Sequence, residues 1–113
     1  MVARNTLTTA TPYAVEQAIK KMGNHLRIAR LRRKLTIEEV AEKIGTGPRA
    51  VRAAEHGHPS TGIAVYAALL WAFNLLSGFE EVADPRNDEE GLALAESATN
   101  ARVRRKRGLD DDF

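Results

Sequence analysis

Residues 36–57, TIEEVAEKIGTGPRAVRAAEHG, hold two complete helix signatures with only three residues between them. Thr36 followed by Glu39 is a capping box, in which each side chain satisfies the other residue's backbone N–H. Ile37, Val40, Ala41 and Ile44 then fall on one stripe, and Gly45 supplies the stop. Gly47 can cap a second helix, and Pro48 fits its first position, where a missing N–H costs nothing. That helix runs over residues 48–56 and stops at Gly57. Its shared face is Ala50, Val51 and Ala54, too slight to fill a core. A helix this thin is suited to lying close against a neighbour, and few folds need one.

The outer positions of the second helix carry Arg49, Arg52, Ala53 and His56. Two short helices joined by a three-residue turn have helix-turn-helix spacing. An α-helix fits the DNA major groove, and arginine can bond both the O6 and N7 of guanine. The pattern therefore predicts a helix that is small inside because it packs tightly and polar outside because it reads base edges.

The remaining chain supplies more helices and no strand signal. Thr11-Pro12 reads as N-cap and first turn of a long helix to about residue 33, with Val15, Ala18, Ile19, Met22 and Leu26 on its apolar face. Gly23 interrupts the pattern. Residues 63–73, IAVYAALLWAF, are apolar without a break, yet too short for a membrane span. A short helix follows over 75–83. The expected fold is all-α: a five-helix domain over 11–83, a flexible arm over 1–10, a short acidic helical extension over 84–96 and a flexible basic and acidic tail over 97–113.

Charge is laid out in blocks, although the net is only +2. Residues 1–57 hold eleven Lys/Arg and five Asp/Glu, residues 58–96 hold one and seven, and residues 97–113 hold five and three. The first block suits a polyanion and the second does not. There is no cysteine, which excludes disulfides, thiolate metal sites and cysteine nucleophiles. With a polar N-terminus, the expectation is a soluble cytoplasmic protein. Glu38, Glu39 and Glu42, like Glu80, Glu81, Asp88, Glu89 and Glu90, stand in no constellation with a nucleophile, so no catalytic residue and no enzyme activity are expected. His56 and His58 lack a third ligand nearby, and no metal or cofactor is expected.

The stretch MGNHLRIARLRRKLTIEEVAEKIGTGPRAVRAAEHG resembles the Xre-type, lambda-repressor-like helix-turn-helix domain, over roughly residues 22–75. The family's helix-one Leu-Arg-like pair, capped helix two and closing Glu-x-Gly map onto Ala29-Arg30, Thr36 and Glu55-His56-Gly57. The resemblance implies an Arg30–Glu55 ion pair. It places the base-reading positions on Pro48, Arg49 and Ala53, where only Arg49 can hydrogen-bond a base, with Arg52 taking part of the task. Phosphate contacts are expected from Thr36, Thr46, Gly47, Arg27, Arg33, Lys34 and His56. The flank from Thr61 to Ala95, followed by an arginine-rich tail, is similar to HipB-like antitoxins, which bind HipA-like kinase toxins and repress their own operon as dimers.

These readings give a homodimeric repressor of double-stranded operator DNA, reading an inverted repeat whose half-sites lie about one turn apart. A HipA-like kinase toxin is the candidate protein partner. The rivals are a stand-alone regulator of phage-repressor or restriction-controller type, and a protein-interaction module that has lost DNA binding. Tyr66, Leu70, Trp71 and Phe73 are the candidate dimer or partner face, some of them necessarily core. Arg102, Arg104, Arg105, Lys106 and Arg107 form a DNA grip, a partner segment or a solubilising tail, and the sequence does not choose.

Overall fold

The computed structural model describes residues 6–111, with side chains described to residue 106. Its order is α1 (Tyr13–Arg32), α2 (Ile37–Ile44), α3 (Pro48–Glu55), α4 (Ile63–Ala72), α5 (Leu76–Glu80), a 3-10 turn (Pro85–Asn87) and α6 (Glu89–Asp111). No strand occurs among the described residues. The chain divides into two compact units, Met1–Phe79 and Glu80–Phe113.

In the first unit, α3 packs on α1 and α2, and α4 packs on α2 and α3. Leu26 and Ala29 from α1, Val40 and Ala41 from α2, Val51 and Ala54 from α3, and Leu69, Leu70 and Phe73 from the α4 segment form one buried core. The thin face of α3 is what permits this. Val51 and Ala54 are both fully buried, so the helix sits in the middle of the packing with nothing bulkier than a valine inward.

Gly23 does not break α1. An added Cβ there would stand 2.4 Å from the Ala54 carbonyl oxygen and 2.7 Å from that of Glu55. Gly57 faces it from the other side with φ of +66°, and its added Cβ would meet the Lys20 Cα at 2.5 Å. The two glycines let the backbones of α1 and the end of α3 touch. The reason for a glycine in the middle of the expected long helix is not legible locally because the approach is tertiary.

The helix ends follow local rules. Thr36 accepts from the Glu39 N–H and Glu39 accepts from the Thr36 N–H, each at 3.1 Å. At the far end of α2, Gly45 is left-handed, Thr46 N–H reaches the Ala41 carbonyl and Gly45 N–H reaches that of Glu42. That is a Schellman close. Lys34 and Asn74 end α1 and α4 in the same way without glycine, at φ of 55° and 59°. At the start of α1, Pro12 is the N-cap residue itself, so the helix begins one residue later than the sequence suggests, and Thr11 donates its hydroxyl to the Leu7 carbonyl. Residues 6–10 form a turn closed by Ala10 N–H to the Thr6 carbonyl at 2.7 Å.

The second unit corrects the expected limit of regular structure. Instead of a short extension ending at 96 and a flexible tail, α6 runs from Glu89 to Asp111. Asp88 accepts the Gly91 N–H at its start, and Glu89 and Glu90 sit favourably at the positive end of the helix dipole. Between Leu92 and Lys106 there is no Gly or Pro, and Ala, Leu, Glu, Arg and Lys are strong helix formers. No helix of the described residues is long and apolar enough to cross a membrane.

Candidate nucleic-acid interface

With Val51 and Ala54 turned inward, α3 must present Arg49 and Arg52 on its other sides, and both are exposed. Arg49 makes no hydrogen bond or ion pair among the described residues. Pro48 and Ala53, on either side of it, are half-buried and offer only apolar surface. Arg52 differs from Arg49. Its Nη2 donates to Glu38 Oε1 of α2 at 3.2 Å, and both side chains are more than half exposed. Neither helix signature alone shows that Glu38 and Arg52 come together, because the turn geometry joins them.

Beneath this face lies the Arg30–Glu55 pair. Arg30 Nε and Nη2 donate to the two Glu55 carboxylate oxygens at 2.7 and 3.0 Å, and Nη1 donates to the Leu35 carbonyl at 2.9 Å. Exposure of the two side chains is 10% and 5%. The hydrogen bond that Arg30 donates to Glu55 raises the affinity of Arg30 for its proton, against the opposing effect of burial. The pair ties the end of α3 to α1 and to the chain entering α2, so it orients the outer face without reaching it.

The phosphate candidates divide by what they already bond. Thr36 is exposed and uses its hydroxyl oxygen as the α2 cap, and the hydroxyl can still donate. Thr46 has committed its backbone N–H to Ala41, so only its side chain is free to bond. Gly47 is the N-cap of α3; Pro48 brings no N–H and the Ala50 N–H bonds the Gly47 carbonyl at 3.2 Å, which leaves the Arg49 N–H without a helical partner. Arg27 and Lys34 are exposed. His56 Nδ1 lies 2.7 Å from the Arg52 carbonyl, which can only accept, so Nδ1 carries the proton. Its Nε2 therefore contacts a phosphate only as part of the imidazolium.

Arg33 is exposed but already engaged. Its Nη1 and Nη2 donate to the Ala29 and Phe73 carbonyls at 2.8 and 2.9 Å, and its guanidinium lies 5.1 Å from the Phe73 ring centroid. It closes the ends of α1 and α4 with guanidinium nitrogens that are already bonded, a role the sequence hides because Phe73 is forty residues away. Leu70 and Phe73 are a correction. They are 8% and 1% exposed and belong to the core of one chain, not to a face for another. A helix apolar on all sides has no periodicity from which to tell its inner face. Trp71 is 55% exposed. Tyr66 is half-buried, and its hydroxyl donates to the His58 carbonyl at 3.4 Å. Arg102, Arg104, Arg105 and Lys106 are exposed on α6, and the Arg107 side chain lies outside the described residues. No group of three or more metal-ligating side chains gathers among the described residues.

Comparison with known proteins agrees with the motif. Residues 26–75 match the family model described as Helix-turn-helix. That segment runs from the second half of α1 to the residues after α4 and contains the α2–turn–α3 pair. No curated protein and no solved structure gave a significant match.

Proposed function

We propose that the chain is a transcription repressor that binds operator DNA as a homodimer, with α3 in the major groove. The observation that carries this reading is the two-sidedness of α3: Val51 and Ala54 are fully buried, while Arg49 is exposed and unpaired. Arg49 reads a base edge, and Arg52 reads a second when it leaves Glu38. Gly47, Thr36, Thr46, Arg27 and Lys34 supply phosphate contacts. The inverted-repeat operator follows from two-fold pairing, with half-sites about one DNA turn apart.

Within that function we read the chain as an antitoxin that autoregulates its operon and binds a HipA-like kinase toxin. Support comes from the resemblance of the α4 flank and from Glu80–Phe113, a compact unit of its own beyond the residues the helix-turn-helix model matches. A toxin bound to both dimer and operator would tighten repression through effective concentration. The test is binding to the DNA upstream of its own gene, measured against salt. Several phosphate contacts require affinity to fall steeply as salt rises. Co-purification of a kinase-like protein encoded next to the gene supports the antitoxin. Operator binding without it leaves a stand-alone regulator, and loss of upstream binding at every salt concentration removes the repressor reading.

A further inference from the structure

We propose that α6 pairs antiparallel with the α6 of a second copy of this chain. From Leu92 to Lys106 every described side chain of this helix is exposed, including Leu92 at 53% and Val103 at 44%. A helix in water draws most of its stability from packing, which a solitary α6 lacks on these faces. Its charge is polarised along its length. Glu89, Glu90 and Glu96 occupy the first half, and Arg102, Arg104, Arg105, Lys106 and Arg107 outnumber Asp110 and Asp111 in the second. Parallel pairing sets like charges together, whereas antiparallel pairing sets each half against its opposite.

The register is fixed by spacing. Glu89, Leu92, Glu96, Thr99, Val103 and Lys106 recur at alternating three- and four-residue steps, the spacing of a coiled-coil seam, with Leu92 and Val103 as its apolar members. A two-fold axis between Ser97 and Ala98 puts Leu92 against the second copy's Val103, and Glu89 against its Lys106. The central layer sets Glu96 against Thr99. That polar layer weakens the pair but defines its register. With two apolar layers and exposed ion pairs, the association is modest and falls with salt. This proposal is independent of the DNA reading, and its test involves no DNA.

The chain has no cysteine, so engineered thiols report the geometry without background. Leu92 and Val103 are eleven residues apart, about 16 Å along one helix, too far for a disulfide within one copy. Full-length Leu92→Cys protein is mixed with full-length Val103→Cys protein and oxidised with glutathione disulfide, with circular dichroism confirming the fold of each. The expected product is a disulfide dimer in the mixture, with each variant alone giving several-fold less. Crosslinking by the single variants as readily as by the mixture overturns antiparallel pairing, and no crosslink in the mixture overturns pairing through α6 altogether. Sedimentation of uncrosslinked protein supplies the second readout. Glu89→Lys or Lys106→Glu alone should weaken association about tenfold, and the double exchange should restore it. A dimer indifferent to both single exchanges contradicts the proposal.

Discussion

Gly23→Ala should destabilise the protein although alanine is the better helix former. In an exposed helix interior this exchange gains about 1 kcal/mol. At position 23 the new methyl would lie 2.4, 2.7 and 2.9 Å from the Ala54 oxygen, the Glu55 oxygen and the Gly57 nitrogen. All three are backbone atoms and cannot swing aside by changing rotamer. Relief requires α1 and α3 to part, which loosens Val51 and Ala54 in the core and stretches the Arg30–Glu55 pair. Overpacking of this kind costs about 1–3 kcal/mol, and backbone contacts place it at the upper end. The net expectation is a loss of about 1–2 kcal/mol, or a Tm lower by about 5 °C. Gly78→Ala in α5 is the control, because nothing lies within 4 Å of its added Cβ and its φ is not positive. That exchange should raise Tm by a few degrees at most. Thermal unfolding followed by circular dichroism compares the two. If Gly23→Ala stabilises as much as Gly78→Ala, the close crossing of α1 and α3 is wrong.

Removing one member of the buried pair, as in Glu55→Ala, leaves Arg30 uncompensated and should cost about 3–5 kcal/mol in urea unfolding, more than replacing both by Met. Arg33→Ala gives up two carbonyl bonds and its place over Phe73, so it should lower stability by about 1–3 kcal/mol while leaving the salt slope of DNA binding unchanged. Side-chain NMR should find the Asp84 carboxyl titrating below the usual carboxylate range, because Arg86 bonds it through both side chain and backbone. Its pKa is depressed on folding, so its stabilising contribution is present above the unfolded value and fades as pH falls through the folded one.

What the sequence revealed and what it hid divide along the distance between partners. The capping box of α2, the Gly45 stop and the Pro48 start are contacts within a few residues, and each was legible in the residues themselves. The Arg30–Glu55 pair spans 25 residues and was reached only through family resemblance. The roles of Gly23 and Arg33 depend on helices meeting far along the chain, and nothing local to either position announces them. Leu70 and Phe73 were misassigned for another reason: an unbroken apolar run carries no phase. Past residue 96 the charge density of the tail suggested disorder, while its helix-forming residues pointed the other way and prevailed in α6. Glu38 beside Arg52 is the site feature that neither motif nor composition signalled.

The central claim is that the outer face of α3 senses bases through Arg49. Its most direct test is a base-pair scan of the upstream binding site, with each position exchanged in turn and affinities compared for the parent and Arg49→Ala. The account predicts that the variant loses about 1–3 kcal/mol on the parent site and becomes indifferent to one base pair that the parent discriminates. An unchanged preference at every position, with or without weaker binding, would contradict it.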